Sequence, residues 1–472
     1  MSTAIRKGHR EAGILLHPTS LPSGQLDRDA YRWLDLLAGM GVTVWQMLPL
    51  GLPLTGLSPY QCASAFALNP ALFPTDPPHP SAAKPAEGEG GDETTWLAKN
   101  LGWVNDFALF MELKNQFDGA EWVHWPLEYR QRDATSLAAF RTAHAEAIAA
   151  RIHQQFTYWQ QWQQMRAYAK QRGIRLFGDM PIFVAHDSAD VWAHPEYFRL
   201  DADGQPTVVT GVPPDYFSET GQRWGNPHYD WDRMRVDNFH WWRERLRYHF
   251  DCFDLVRIDH FRGLEAAWTI PASCPTAIEG EWQPVPGDEL LSALQTEGDK
   301  LSLVAEDLGI ITPEVTALRL KYQLPGMSVL QFAFDHFADN PHKPWNVVEN
   351  TVYYTGTHDN DTLHGWFNTL NSQQQGDILA LLGSQSPLNA GNITILMLET
   401  VLASSAGLVM IPWQDILELG SEARMNIPGT IEGNWQWRFQ WAQVADTMTT
   451  GLHRLLAQHK RLHQNATTAN IE

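Results

Sequence analysis

Three short runs in this chain end in carboxylates that an apolar interior has no use for. Arg257, Asp259 and His260 close the apolar run 253–256, Glu306 and Asp307 close 301–305, and His358 and Asp359 close 351–356. An unpaired charge buried in a strand interior is strongly unfavourable. Charges placed where β-prone runs stop therefore belong at strand ends that open on a site, as in parallel barrels. One such carboxylate could cap a following helix, and Arg257 with Asp259 could form a structural ion pair. Capping does not account for Asp, Glu and Asp in order, with Arg and His beside two of them.

Three carboxylates around one bond suit glycosidic cleavage. Retention needs a nucleophilic carboxylate and a carboxylic acid about 5–5.5 Å apart, and inversion needs a wider gap. Only the folded distance chooses between these. Arg257 and Asp259 are two apart on a strand and share a face, so a guanidinium keeps the nucleophile candidate Asp259 ionised. Glu306 follows an apolar strand, close to other carboxylates, and is placed for a raised pKa and for acid-then-base duty. Asp359 beside His358 is placed to grip sugar hydroxyls more tightly in the transition state. Twenty-one tryptophans, several in polar company such as Trp224, Trp231 and Trp435, offer faces for sugar rings, although most tryptophans serve as core.

The elements that must position these groups alternate along the chain. Strand-like segments fall at 13–17, 42–49, 175–183, 253–260, 301–306, 327–334, 351–357 and 408–412, with helical patterns at 28–39, 236–250, 312–321 and 391–403 between several of them. Alternation predicts a parallel sheet with helices outside, and eight strands predict a (β/α)8 TIM barrel. Residues 1–472 then form one catalytic domain with inserted subdomains over the C-terminal face of the barrel. The insertions are 76–172, mainly helical, between strands two and three; 185–235, loop-rich; and 262–300 between strands four and five. Within the first, 76–92 reads as a mobile linker. Within the second, 211–227 reads as an active-site lid. Pro213 and Pro214 stiffen it, Gly221 and Gly225 permit turns, and Tyr216, Phe217 and Trp224 give it apolar surface. A connector with its own small core is the competing reading.

Composition removes other classes. A net charge of −20 speaks against nucleic acid and anionic membranes as partners. No apolar run approaches a membrane span, and the basic start has no apolar core behind it, so it is no signal peptide. Cys62, Cys252 and Cys274 lack ligand spacing, which predicts no metal site and a cytoplasmic protein. No glycine-rich phosphate loop follows an early strand.

Specific runs then point to a family. They are Gly13-Ile14-Leu15-Leu16-His17-Pro18, the segment 45–51, Ser58-Pro59-Tyr60, Gly178-Asp179-Met180-Pro181, the 211–227 segment, Thr357-His358-Asp359-Asn360 and Met425-Asn426-Ile427-Pro428. With these, nearly the whole chain resembles the amylomaltases, bacterial 4-α-glucanotransferases related to the α-amylases. The Asp/Glu/Asp order alone marks only the superfamily, whereas the loop and the Ser-Pro-Tyr run are amylomaltase features. One departure is the extra residue in Gly51-Leu52-Pro53. The extra N-terminal domain of longer members is absent, so the chain resembles the compact form.

The resemblance implies Asp259 as nucleophile, Glu306 as acid/base and Asp359 as transition-state stabiliser. Arg257, His358 and Tyr60 would hold the sugar at the cleaved bond. Trp231, Asp335, Ser58, Asp215, Phe217 and Asn426 would contact neighbouring sugars. It further implies no cofactor and no metal. Donors would be α-1,4-glucans or maltooligosaccharides, and the acceptor glucose or another glucan. The oligomeric state, monomer or homodimer, stays open. An α-glucan hydrolase is the nearest alternative, and a non-catalytic glucan-binding protein the alternative from another class.

Overall fold

The computed structural model describes residues 5, 8–54, 56–75, 92–215, 218–295, 301–382 and 390–462. Twelve strands occur among them. In chain order they are β1 (Glu11–Leu15), β2 (Val44–Gln46), β3 (Arg175–Pro181), β4 (Val208–Val212), β5 (Gln222–Pro227), β6 (Leu255–Asp259), β7 (Ala266–Pro271), β8 (Glu281–Pro284), β9 (Leu303–Ala305), β10 (Gly326–Val329), β11 (Thr351–Tyr354) and β12 (Leu408–Pro412). Eight pair in parallel in the order β10-β11-β12-β1-β2-β3-β6-β9. The outer strands approach where Ala305 N–H donates to the Pro325 carbonyl at 2.9 Å, so the sheet nearly closes into a TIM barrel.

Side chains alternate across the barrel wall with the period of two that a strand imposes. Val44, Phe177, Leu255, Val304, Val352, Leu408 and Met410 form one buried cluster that fills the lumen. Their neighbours Trp45, Leu176, Val256, Leu303, Tyr353 and Val409 join the larger core under the helices. Both faces are buried, which is why these strands read as continuous apolar runs. The helix Arg28–Met40 shows the matching helical logic. The Asp27 side chain accepts from Asp29 N–H, Gly41 ends the helix at φ +79°, and Ala30, Trp33, Leu34, Leu37 and Met40 are its buried face.

Between β2 and β3 the chain forms the helices Glu93–Gln116, Ala134–Ala143 and Ala145–Gln171. Trp162 anchors the last of them, wholly buried, with its indole N–H on the Cys252 carbonyl at 2.9 Å. The linker expected at 76–92 lies, except for Asp92, outside the described residues.

Two expectations need correcting. The apolar segments 42–49 and 327–334 pair only over Val44–Gln46 and Gly326–Val329, and the second continues as a tight turn at Leu330–Phe332. Their flanks are apolar because they pack at the barrel ends, as buried Met47 and Leu48 do. The 211–227 segment is also not simply a loop. Its ends are β4 and β5, paired antiparallel at Gly211↔Arg223 and Val212↔Gln222. β7 and β8, from the 262–300 stretch, extend the same sheet in the order β5-β4-β7-β8. A Cβ at position 211 would lie 2.1 Å from the Gln222 carbonyl oxygen, so the glycine there serves close strand pairing. Residues 216 and 217 lie outside the described residues.

Arg461 ties the end of the chain to the far, N-terminal face of the barrel. It is wholly buried and donates to the carbonyls of Glu11, Leu402, Ser404 and Ala406 at 2.8–3.1 Å. Each buried carbonyl left without a donor costs roughly 1–3 kcal/mol. Arg461→Leu should therefore lower the midpoint of denaturant unfolding clearly while leaving KM unchanged, because the site lies at the opposite face; titration of unfolding alongside initial rates checks both.

Candidate active site

Strand parity brings the charges together. Leu255 faces the lumen, so Arg257 and Asp259 on the same strand face it too; on β3, Phe177 carries Asp179 with it. Arg257 Nη1 donates to both oxygens of Asp179 at 2.8 and 2.7 Å, and Nη2 donates to Asp259 Oδ1 at 2.8 Å. Arg257 and Asp179 are buried, while the Asp259 side chain keeps 29% of its surface open to the cleft. Burial opposes the Arg257 charge, yet Asp179 and Asp259 outweigh it and hold its pKa well above the ordinary value. The nucleophile candidate thus rests against a permanent cation.

Glu306 stands one residue past β9, beside β6. Its Oε2 accepts from His260 N–H at 2.7 Å and its Oε1 from Leu308 N–H at 3.0 Å. Burial pushes its pKa up to about 7, helped by the Asp259 charge and opposed by Arg257 and the two N–H donors. Two neighbouring strand ends therefore carry one arginine-held carboxylate and one carboxyl group that keeps its proton near neutrality. That is the division of labour acid/base catalysis with a nucleophile needs.

A second chain of contacts runs from Asp179 across the mouth. The Tyr60 hydroxyl donates to Asp179 Oδ2 at 2.7 Å and lies 2.9 Å from His358 Nε2. A phenol has one proton to give, so its oxygen accepts from His358 Nε2–H. The Tyr60 and His358 rings stack with centroids 5.3 Å apart, and Trp435 packs on both. Asp359 Oδ1 is 3.4 Å from His358 Nε2 and accepts from Asn426 Nδ2 at 2.7 Å. Arg424 fixes this corner by donating to the carbonyls of Asp359 and Asn426.

These groups line a cleft of about 1190 Å³. Asp259, Glu306, Asp359, Tyr60, Arg257, His358, Ser58, Asp215, Asp335 and Asn426 all face it. Asp335 sits 3.4 Å from Lys343 Nζ, and Asp215 accepts from Ser218 N–H at 2.8 Å. Phe217 lies outside the described residues. Trp231 does not line the cleft. It opens the short helix Trp231–Val236 and is half-buried there, packed against Tyr229, Phe239 and Trp242 at the edge of the core. Trp224 lines the cleft instead, with Phe332, Phe334 and Trp366. Asp179 is the residue that sequence reasoning passed over. The available signal was its parity with Phe177 on a strand next to the one that bears Arg257.

The chain has counterparts among known proteins. The family model described as 4-alpha-glucanotransferase matches residues 15–87 and 79–444. The chain belongs to the 4-alpha-glucanotransferase family. A 4-alpha-glucanotransferase of Thermus thermophilus is 44% identical to it over 96% of this chain and 99% of its own. The chloroplastic/amyloplastic 4-alpha-glucanotransferase of Solanum tuberosum is 39% identical over 96% and 87%. A structure of the amylomaltase from Streptococcus agalactiae in complex with acarbose superposes with a TM-score of 0.88 at 33% identity, covering 96% of this chain and all of the other. The chain is thus a 4-alpha-glucanotransferase that acts on glucans. No helix among its described residues is long and apolar enough to cross a membrane.

If glucanotransfer draws its proton from Glu306, the placement of that carboxyl group sets its pH dependence. With that pKa at about 7, the proton-bearing form is full below pH 7 and is lost as pH rises through it. On maltotriose, kcat/KM should then fall about tenfold per pH unit on the alkaline side. Glu306→Gln should flatten this limb, and a wild-type profile level to about pH 9 would contradict the assignment.

Proposed function

We propose that the transferase works by retaining double displacement, with Asp259 as the nucleophile, Glu306 as the acid/base and Asp359 as the transition-state stabiliser. In the first half-reaction Glu306 gives its proton to the glycosidic oxygen as Asp259 attacks the anomeric carbon. The C–O bond to the leaving glucan breaks and a β-glucosyl ester forms on Asp259. In the second, Glu306, now a carboxylate, takes the proton from the 4-hydroxyl of glucose or another glucan. That oxygen displaces Asp259 and rebuilds an α-1,4 bond. The observation that carries this reading is Arg257 gripping Asp259 while burial keeps the proton on neighbouring Glu306.

Asp359 and Asn426, joined at 2.7 Å, are suited to bind hydroxyls of the distorted ring, and Tyr60 to lie against its apolar face. Donors are α-1,4-glucans and maltooligosaccharides. Ser58, Asp215 and Asp335 contribute polar contacts along the cleft, whose aromatic wall of Phe332, Phe334 and Trp366 suits sugar rings further from the cleaved bond. Three unpaired cysteines support the reducing cytoplasm as its compartment.

The test is chemical. Incubation with a 5-fluoro glycosyl fluoride donor should trap an ester that peptide mass spectrometry assigns to Asp259, and Asp259→Asn should leave no adduct and no transfer while still unfolding cooperatively. An adduct on another carboxylate would overturn the assignment. On maltotriose the wild type should yield glucose together with longer oligomers.

A further inference from the structure

His260 has no part in the chemistry above, yet its backbone is held in an unusual conformation. Directly after the nucleophile it takes φ +56° and ψ +49°, the left-handed region that a residue with a Cβ disfavours. The turn has a consequence at the acid/base. The pairing of β6 with β9 ends at Ile258↔Ala305, and past that point three backbone groups cross between the strands. Glu306 N–H donates to the Ile258 carbonyl at 3.1 Å, Phe261 N–H to the Glu306 carbonyl at 3.0 Å, and His260 N–H to the Glu306 carboxylate at 2.7 Å. The φ and ψ of residue 260 aim the next peptide, so an extended residue 260 would carry the Phe261 N–H away from the Glu306 carbonyl and open the turn that presents both donors. With Leu308 N–H on the other oxygen, both carboxylate oxygens are held by peptide donors, and the side chain of Glu306 is fixed in direction.

The imidazole locks the turn. Its ring meets the Trp224 ring edge-on with centroids 4.8 Å apart. On another side it lies over Gly263, where a Cβ would come within 2.9 Å of His260 Cδ2. Its Nε2 is buried without a hydrogen-bond partner among the described residues, so the ring is held by packing. Trp224 belongs to β5 of the small sheet, so the cover over the cleft touches the turn that aims the acid.

We propose that His260 is a positioning residue for Glu306: its left-handed backbone turns the chain so that the Phe261 N–H holds the Glu306 carbonyl, and this tie keeps the His260 N–H on the carboxylate that gains charge as the proton leaves. The proposal rests on Glu306 being the acid. A preorganised donor of this kind acts in the transition state, where removing one commonly costs about 10²–10³ in kcat.

The test uses three substitutions in the full chain. His260→Gly and His260→Asn accept the left-handed region and keep the N–H, whereas β-branched His260→Val does not accept it. On maltotriose, His260→Val should lose roughly a hundredfold in kcat, while the Gly and Asn variants keep more than about a tenth of it. The second readout is pre-steady-state fluoride release from an α-maltosyl fluoride, whose leaving group needs no proton. There the His260→Val deficit should shrink to within about threefold. Equal losses on both donors, or a Gly variant as impaired as Val, would overturn the positioning role. Glu306→Gln run in parallel separates the two claims. If fluoride release rescues it but not His260→Val, only the positioning role fails; if it is not rescued, the acid assignment falls and takes the proposal with it.

Discussion

The guanidinium of Arg257 is the point on which the site depends. It is buried at the top of the barrel with one hand on Asp179 and the other on Asp259. A cation in such a place is tolerable only with its hydrogen bonds filled, and removing one partner of a buried pair costs on the order of 3–5 kcal/mol. The arrangement therefore binds the ends of β3 and β6 into one electrostatic unit. Through Asp179 the same cation reaches Tyr60 and then His358. Stability and catalysis draw on one set of contacts here, which restricts how any of these residues can change.

The acid/base shows the opposite use of burial. Glu306 accepts two peptide N–H groups and faces Arg257, all of which favour its charged form, yet loss of water outweighs them. Two carboxylates on adjacent strands thus sit differently, one in direct contact with the cation and the other mainly desolvated. The difference comes from a few ångströms of placement, which the parallel ladder between β6 and β9 holds in register.

The material over the mouth forms one piece where two insertions were expected. β4 and β5 come from the second insertion and β7 and β8 from the third, yet they build one sheet. Because β7 of that sheet follows the 260–263 turn in the chain, the position of the sheet and the geometry of the turn are linked covalently as well as through the Trp224 contact. Arg262 adds a further tie, stacking on Trp282 of β8 and donating to the Ile310 carbonyl beyond Glu306. A cover attached in this way can exclude water from the intermediate without being a free flap.

What the sequence determined by itself follows from local periodicity. Strand and helix alternation gave the (β/α)8 plan because hydrophobic spacing of two and of 3.6 is written into neighbouring residues. The order Asp259, Glu306, Asp359 was legible because charge at the end of an apolar strand is conspicuous without any partner being known. Tertiary structure decided the rest. Asp179 joins the site only because β3 pairs with β6, a contact between residues 78 positions apart. Trp231 sits off the cleft because its ring packs on Tyr229 and Trp242, and polar neighbours in sequence could not reveal that contact. The 211–227 segment reads as a loop because turn formers dominate it, whereas its ends pair with each other and β4 pairs with β7 of another insertion. Glu306's proton affinity depends on burial, a sum over the whole fold, and no run of residues contains it.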